Sequence, residues 1–329
     1  MKIVLLKEAE IRQCVSVDLE AIAEIERGFA SLSRGEVTQP PIFSIEVPEY
    51  KGEIDVKGAY VKGLDSFAIK VASGWLDNYR LGLATGSGMM MVFSAKTGHL
   101  QALLLDNGYL TNVRTGAAGG VAARYLARQN VRTAGVVGAG AQARFQMMAL
   151  KLVRDFKRLL VYSIVPEEIG PYISEMSPIL GVEIVRAADE EQVVRESEVV
   201  VTTTPSRQPH LKAAWLHPGL HITAMGADSE GKQELEAEVL GRADRLVCDR
   251  KSQCFVRGEL HHGLEEGTIS KDSEILELGE LTSGQKLGRQ NDQQITVCDL
   301  TGTGVQDTAI ALMTYRKALA KGLGTEIMV

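Results

Sequence analysis

Long hydrophobic segments, runs of basic residues and clustered cysteines are all missing from this 329-residue chain. No apolar stretch approaches the ~20 residues of a membrane-spanning helix, and the amino terminus becomes charged too early for a signal peptide. We therefore expect neither a membrane partner nor secretion. The four cysteines are dispersed without metal-ligand spacing, which predicts buried thiols in a reduced, cytoplasmic protein. They are Cys14, Cys248, Cys254 and Cys298.

Charge and histidine spacing exclude two further classes of partner. The net charge of -6 is mild and spread along the chain, without a basic stripe interleaved with aromatic residues. Nucleic acid is therefore not expected as a partner. The adjacent His261 and His262 have no carboxylate or cysteine at ligand spacing, so a metal site is not predicted either.

The most informative local pattern is a glycine loop between a strand-like apolar segment, residues 134–137, and a helical pattern. Gly138 allows a tight turn, Gly140 lets the backbone approach a pyrophosphate, and Ala143 takes the third small position of the dinucleotide fingerprint. The amino terminus of the following helix offers free N–H groups to the phosphates. Because a strand precedes the loop and a helix follows it, the pattern predicts a nucleotide-binding unit.

Strands and helices alternate beyond the loop, which predicts a parallel sheet whose carboxyl edge binds the ligand. Further strands are predicted at residues 158–162, 182–186, 198–204, 220–225, 245–249 and 294–298.

The region before the loop has a different pattern, with apolar residues alternating at period two. Strands are predicted at residues 53–61, 66–72, 89–94 and 99–105, and the region is interpreted as an antiparallel, strand-rich domain. A helix rich in small residues, 110–127, leads into the nucleotide unit. A last helix, 305–321, is expected to pack back onto the amino-terminal domain.

These patterns predict an α/β protein of two domains. A Rossmann-type nucleotide-binding domain covers residues 128–305, and a strand-rich α+β domain covers residues 1–127 with 306–329.

Four blocks, in this order, resemble the ornithine cyclodeaminase/mu-crystallin superfamily. They are residues 110–118 (LTNVRTGAA), 137–143 (VGAGAQA), 226–235 (GADSEGKQEL) and 292–302 (DQQITVCDLTG) with Gln306-Asp307. The resemblance implies a homodimer whose strand-rich domains pair and a Rossmann domain that binds NAD or NADP. Members include ornithine and lysine cyclodeaminases, alanine dehydrogenase, and ketimine or cyclic imine reductases. Residues 52–74 look most like the ectoine-utilisation cyclodeaminase-like branch.

The resemblance also implies roles for individual side chains. By pattern alone Lys70 is an outward lysine on a half-exposed strand, but the family motif implies a substrate-facing ammonium that pairs with a carboxylate or handles protons. Arg114, otherwise a surface arginine, would grip a carboxylate with two parallel bonds. Asp228, otherwise a turn former, matches a family aspartate that binds the amino group. Strand alternation makes Lys57 a further candidate for substrate binding, facing the same way as Ala59.

The cofactor candidates lie in the loop, at the strand ends and next to Arg114, where the motif implies that Thr115 lies near the phosphates. They are Thr115, Gly138, Gly140, Ala141, Gln142, Ser163, Thr203, Thr204, Met225 and Gly226. Ser163 ends the second strand, where a carboxylate would accept the ribose hydroxyls of NAD. A serine cannot repel a 2′-phosphate as a carboxylate would, and no arginine is present there to bind one, so NAD and NADP both remain open.

The leading hypothesis is an NAD(P)H-dependent oxidoreductase that reduces a linear or cyclic imine derived from an amino acid. Arg114 and Lys70 would hold the substrate carboxylate, and Lys70 or a water near Asp228 would supply the proton.

Two alternatives remain. An ornithine- or lysine-type cyclodeaminase would use bound NAD+ and release ammonia, and it needs the same cofactor and the same anion-binding residues. Ornithine cyclodeaminase has an additional carboxylate-binding arginine before its first strands, and residues 40–46 here contain none. A non-enzymatic, mu-crystallin-like binding protein is the third reading, and Lys70 and Arg114 argue against it.

Overall fold

The computed structural model describes residues 2–328, which form two compact units. The first unit contains the residues up to Arg114 and those from Thr303 onward, and the second contains Thr115–Gly302. The boundary lies inside a helix, Tyr109–Leu126, whereas the sequence placed it after residue 127. The part of this helix that belongs to the second unit packs closely there, since a Cβ at Gly116 would lie 2.7 Å from the carbonyl oxygen of Phe145.

The helices and strands cover most of the described chain. The strands are β1 (Lys2–Lys7), β2 (Val37–Thr38), β3 (Phe43–Val47), β4 (Gly52–Val61), β5 (Ser66–Trp75), β6 (Gly86–Ser94), β7 (Leu100–Leu105), β8 (Thr133–Val137), β9 (Arg158–Tyr162), β10 (Glu183–Arg186), β11 (Val199–Thr202), β12 (His221–Ala224), β13 (Arg245–Cys248), β14 (Ile275–Glu277), β15 (Thr296–Asp299) and β16 (Thr325–Met328). The helices are α1 (Glu8–Ile11), α2 (Leu19–Ser33), α3 (Tyr109–Leu126), α4 (Ala141–Val153), α5 (Pro166–Leu180), α6 (Glu190–Glu196), α7 (Ala237–Gly241), α8 (Lys251–Cys254), α9 (Glu259–Glu265), α10 (Leu278–Thr282) and α11 (Gly304–Lys321).

The first unit is built on one sheet with the order β16-β1-β7-β6-β5-β4-β2, and β3 pairs with β4. Its pairs are antiparallel except β1 with β7, which run parallel. The prediction of a strand-rich domain is confirmed, but the prediction of a purely antiparallel one is wrong at this pair. A period-two pattern identifies a strand without fixing its partner or direction.

One face of this sheet is covered by helices. The side chain of Thr308 on α11 donates to the carbonyl oxygen of Ala59 on β4, at 2.7 Å. Helix α2 packs against α11 and buries an apolar stripe at three- and four-residue spacing, which includes Ile22, Ile25 and Phe29. The last long helix therefore packs onto the amino-terminal elements, as predicted.

The second unit is a parallel sheet with the order β10-β9-β8-β11-β12-β15-β13-β14. The chain runs outward in both directions from β8, so the order reverses between β8 and β11, as in a Rossmann fold. Both faces of the sheet carry buried apolar clusters. The predicted strands all form, and the short β14 was not predicted.

Two further observations concern the length of the helices and the state of the thiols. Within residues 2–328, no helix is both long and apolar enough to cross a bilayer. The four cysteines are free and buried, as predicted.

Candidate active site

A row of side chains crosses four strands of the first unit on the face that α11 covers. Lys57 on β4 pairs in register with Lys70 on β5, Lys70 with Met90 on β6, and Met90 with Leu104 on β7. Lys70 is only 2% exposed and Lys57 only 8% exposed. The reading of Lys70 as an outward lysine is therefore wrong. Two lysines directly opposite each other repel, so a buried pair requires anionic partners.

Asp307 on α11 is the main partner of Lys70. Its Oδ1 atom lies 3.1 Å from Nζ of Lys70 and 3.0 Å from Nε of Arg114. All three side chains are buried. Neither Asp307 oxygen makes an aligned hydrogen bond within residues 2–328, so the contacts are ion pairs without hydrogen-bond angles. One buried carboxylate thus brings together two side chains that are distant in sequence.

The start of α11 positions Asp307. Thr303 is the N-cap, and its backbone N–H donates to Oε1 of Gln306 at 3.0 Å. The same oxygen accepts a 3.1 Å hydrogen bond from Nη1 of Arg114. The capping box therefore holds Arg114 directly, and it places Asp307 one residue further along the same turn.

Lys70 has the chemistry of a proton donor at neutral pH. Burial, followed by the charge of Arg114, lowers the pKa of Lys70 to about 7, and Asp307 opposes this shift. A group whose pKa lies near the working pH is well suited to general acid–base catalysis.

Asp106 is a second buried carboxylate in this unit. It follows β7, and its Oδ2 atom accepts a 2.8 Å hydrogen bond from the backbone N–H of Leu110 at the start of α3. Its Oδ1 atom has no hydrogen-bond partner within residues 2–328. Burial raises the pKa of Asp106 to about 6. Lys57 has a partner as well, since its Nζ lies 3.5 Å from Oδ2 of Asp55.

Sequence reasoning missed Asp307 and Asp106 as site residues. Asp307 was inside a recognised motif block, and its place just after the Gly302–Gly304 turn at a helix start was the available signal. Asp106 had no such signal, because an aspartate after a strand is usually a turn former.

The glycine loop in the second unit fits a dinucleotide. Gly138 has φ +103°, and a Cβ there would lie 2.5 Å from Oγ1 of Thr203. Gly140 is the N-cap of α4, and among the described residues no heavy atom outside its immediate chain neighbours lies within 4 Å of where its Cβ would be. The backbone is therefore open at the position where a pyrophosphate would approach.

The other cofactor candidates also lie in this unit. Ala141 and Gln142 open α4. Thr203 and Thr204 follow β11, and Met225 and Gly226 follow β12, both at the carboxyl edge of the sheet. Thr115 is buried, and its carbonyl oxygen accepts a 2.9 Å hydrogen bond from Nε2 of Gln146.

Ser163 is buried at the end of β9. Its Oγ accepts a 3.2 Å hydrogen bond from the backbone N–H of Val165 and lies 3.4 Å from Oε2 of Glu168. A carboxylate therefore lies beside the strand end, although it comes from α5 and not from the strand.

Asp228 lies in the second unit, after β12. Its side chain is exposed and makes an ion pair with Lys232, with 2.7 Å between Oδ1 and Nζ. The catalytic and binding roles of Asp228, Lys57, Lys70, Arg114 and the cofactor candidates stay predictions.

Comparison with known proteins gives a consistent set of matches. The sequence model of the ornithine cyclodeaminase/mu-crystallin family matches residues 1–322. A Rhizobium meliloti protein described as a dehydrogenase is 46% identical over 98% of this chain and 97% of its own length.

Two solved structures are similar over their full length. The Delta(1)-pyrroline-2-carboxylate reductase of Thermococcus litoralis, in complex with NADH and L-proline, has a TM-score of 0.95 and 33% identity, covering 99% of this chain and 100% of its own. An archaeal alanine dehydrogenase dimer with bound NAD has a TM-score of 0.93 and 34% identity, covering 100% of this chain and 99% of its own.

Proposed function

The chain belongs to the ornithine cyclodeaminase/mu-crystallin family, and from that premise we propose that it is an NAD(P)H-dependent reductase of an imine derived from an amino acid. The observation that carries the proposal is the buried cluster of Lys70, Asp307 and Arg114. It combines an anion-binding guanidinium with an amine whose pKa is about 7.

The carboxylate of the substrate is held by Arg114 and Lys70, while Asp307 keeps both cations in place. Reduction adds a hydride to the imine carbon and a proton to the nitrogen, so imine, NAD(P)H and one proton give amine and NAD(P)+. When bound, the cofactor supplies the hydride. Lys70 supplies the proton and is reprotonated from solvent, and Asp228 is the candidate for binding the amino group.

The cofactor is NAD or NADP, held by the glycine loop and the strand ends of the second unit. Within that choice we favour NAD, because the Glu168 carboxylate near Ser163 would repel a 2′-phosphate. Residues 161–170 contain no lysine or arginine to offset that repulsion.

The protein is a homodimer in this proposal, with the open face of the first unit's sheet as the interface. Phe67 and Phe93 stack with ring centroids 5.6 Å apart on the face opposite Lys70. Phe43 and Ile45 on β3 are 60% and 48% exposed. An apolar face of this kind is typical of protein–protein interfaces, and the similar alanine dehydrogenase is a dimer. The four free cysteines agree with a cytoplasmic location.

The reductase is tested with a panel of linear and cyclic imino acids, assayed with NADH and with NADPH by loss of absorbance. We expect one equivalent of cofactor to be oxidised for each amino acid formed. Ammonia release from ornithine or lysine without net cofactor consumption would overturn the reductase in favour of a cyclodeaminase. Cofactor binding without turnover of any imino acid would favour a binding protein.

The dimer is tested separately by sedimentation. We expect the wild-type chain to sediment at twice its monomer mass and the double variant F43D/I45D to sediment as a monomer. A monomeric wild-type protein would contradict the proposed interface.

A further inference from the structure

Glu234 links two loops at the carboxyl edge of the parallel sheet. The side chain is fully buried, and its carboxylate accepts hydrogen bonds from the hydroxyl of Thr202 at 2.6 Å, the backbone N–H of Thr204 at 2.6 Å and the backbone N–H of Gly226 at 2.8 Å. Thr202 and Thr204 belong to the end of β11 and its loop, and Gly226 follows β12. One side chain thus ties the ends of two neighbouring strands.

We propose that Glu234 is the positioning residue that orders the cofactor-binding loops after β11 and β12. The inference rests on the proposed function, since it assumes that these loops hold the nicotinamide half of NAD(P). Ligands of doubly wound sheets bind outside the carboxyl ends of the strands, beside the point where the strand order reverses. The loop after β11 lies at that point, and the loop after β12 is its neighbour.

The backbone at Glu234 is itself held by a second buried carboxylate, that of Glu259. Its backbone N–H donates to Oε1 of Glu259 at 2.8 Å, and the N–H of Leu235 donates to Oε2 of the same carboxylate at 3.2 Å. Glu259 is buried in turn. The Glu259 carboxylate at the start of α9 therefore holds the backbone of Glu234, and the Glu234 carboxylate holds the two loops.

Glu234 packs tightly against the backbone of Gly226. A Cβ at Gly226 would lie 2.5 Å from Cδ of Glu234 and would also collide with the carbonyl oxygen of Thr204. Burial raises the pKa of Glu234, and the hydrogen bonds from Thr202 and Thr204 oppose that shift. The loop geometry thus depends on one buried carboxyl group that faces three donors.

The test compares E234Q and T202V with wild type. In E234Q, an amide N–H2 group replaces one of the two acceptor oxygens. In one orientation it faces the N–H donor of Thr204, and in the other it faces the donors of Thr202 and Gly226. T202V removes only one of the three hydrogen bonds and keeps the side-chain shape. The readout is the dissociation constant for NADH, from the change in NADH fluorescence without substrate. We expect it to rise on the order of tenfold in E234Q and a few-fold in T202V, because hydrogen bonds to charged groups are among the strong ones.

The control is E198Q, which makes the same substitution at another carboxylate of this sheet. Glu198 also accepts two backbone N–H groups, from Arg132 at 3.1 Å and Thr133 at 2.8 Å, but it does so before β8, at the amino edge of the sheet. We expect E198Q to bind NADH as wild type does. A steady-state assay adds a second readout, in which E234Q raises KM for the cofactor and leaves KM for the imine unchanged.

The possible results distinguish the proposed function from the positioning role of Glu234. If wild type binds neither NADH nor NADPH, the proposed function is overturned. If wild type binds NADH and folded E234Q binds it equally well, only the positioning role is overturned. An equal loss of NADH affinity in E198Q and E234Q would also overturn the positioning role, because the loss would then come from a general loss of stability. Should E234Q fail to fold, T202V decides, and an unchanged dissociation constant there overturns the role.

Discussion

Asp307 in the first unit and Asp249 in the second unit are both buried carboxylates, but their surroundings satisfy them differently. Asp307 lies at ion-pair distance from Lys70 and Arg114, yet neither of its oxygens has an aligned hydrogen bond within residues 2–328. Asp249 in the second unit instead accepts hydrogen bonds from the backbone N–H groups of Thr301 and Gly302 at 2.9 and 2.6 Å. Buried charge with spare hydrogen-bonding capacity is available to a ligand, whereas fully bonded charge maintains loop structure.

The largest expected effect is on catalysis in the first unit. Replacing Lys70 by methionine keeps an unbranched side chain one atom shorter and removes the proton donor. We expect kcat/KM for the imine to fall on the order of 100- to 10,000-fold, which is the usual contribution of a general acid. NADH binding should not change, since Lys70 is not among the residues proposed to hold the cofactor. Retention of more than a tenth of the activity would contradict the role of Lys70.

The next largest effect is on the free energy of unfolding, and it distinguishes Asp307 from Asp249. Asp307→Asn leaves Lys70 and Arg114 buried with a neutral neighbour. Removing one partner of a buried ion pair costs about 3–5 kcal/mol, so the midpoint of urea unfolding should fall strongly. Addition of a carboxylate ligand such as proline should restore part of the loss. A variant as stable as wild type would contradict the pairing.

Asp249→Asn is the matched change in the second unit. The amide N–H2 would face a backbone donor, and leaving one buried donor unsatisfied costs about 1–3 kcal/mol. Because Asp249 bonds only to loop backbone and neighbouring side chains, the folded variant should keep its kcat at saturating cofactor. Loss of kcat at full folding would show that the two networks do not differ as described.

The pH profile tests the state of Lys70 directly. Since its pKa is lowered to about 7, the protonated donor is abundant below that pH and is lost above it. We expect kcat/KM for the imine, which reports ionisations of the free enzyme, to fall about tenfold per pH unit well above the pKa. The residual activity of K70M should not show this fall at high pH. A profile that is flat up to pH 9 would contradict the lowered pKa.

The smallest effect concerns cofactor choice at Ser163. In E168Q an uncharged amide replaces the carboxylate that lies 3.4 Å from the Ser163 hydroxyl. A solvent-exposed charge interaction of about 1 kcal/mol would change the preference for NADH over NADPH roughly fivefold. E167Q removes a charge from the same helical turn and serves as the control. An equal change in both variants would assign the effect to the net charge of the turn.

Much of the fold was predictable because its signals are local. The glycine loop, the strand–helix alternation after it and the period-two strands before it were all identified from the sequence. Parallel pairing of β1 with β7, the edge strands β14 and β16, and the division of α3 between two units were not. Those features depend on which segments meet in space, and hydrophobic periodicity contains no such information.

The candidate site was predicted in part, for the same reason. Lys70 and Arg114 were chosen from the family motifs and Lys57 from strand alternation, and all three lie buried in the first unit. Asp307 and Asp106 were not chosen. Their importance comes from burial and from the charges around them, which appear only after the strands and α11 have packed.

By itself, the sequence determined the elements and the chemistry available at each position. A small-residue loop between a strand and a helix can accept a dinucleotide, and a lysine or an arginine can bind a carboxylate. Only the tertiary structure decided which charges are buried together. Lys70 and Asp307 are far apart along the chain, and the pKa of an amine falls to about 7 only when packing removes it from water beside another cation.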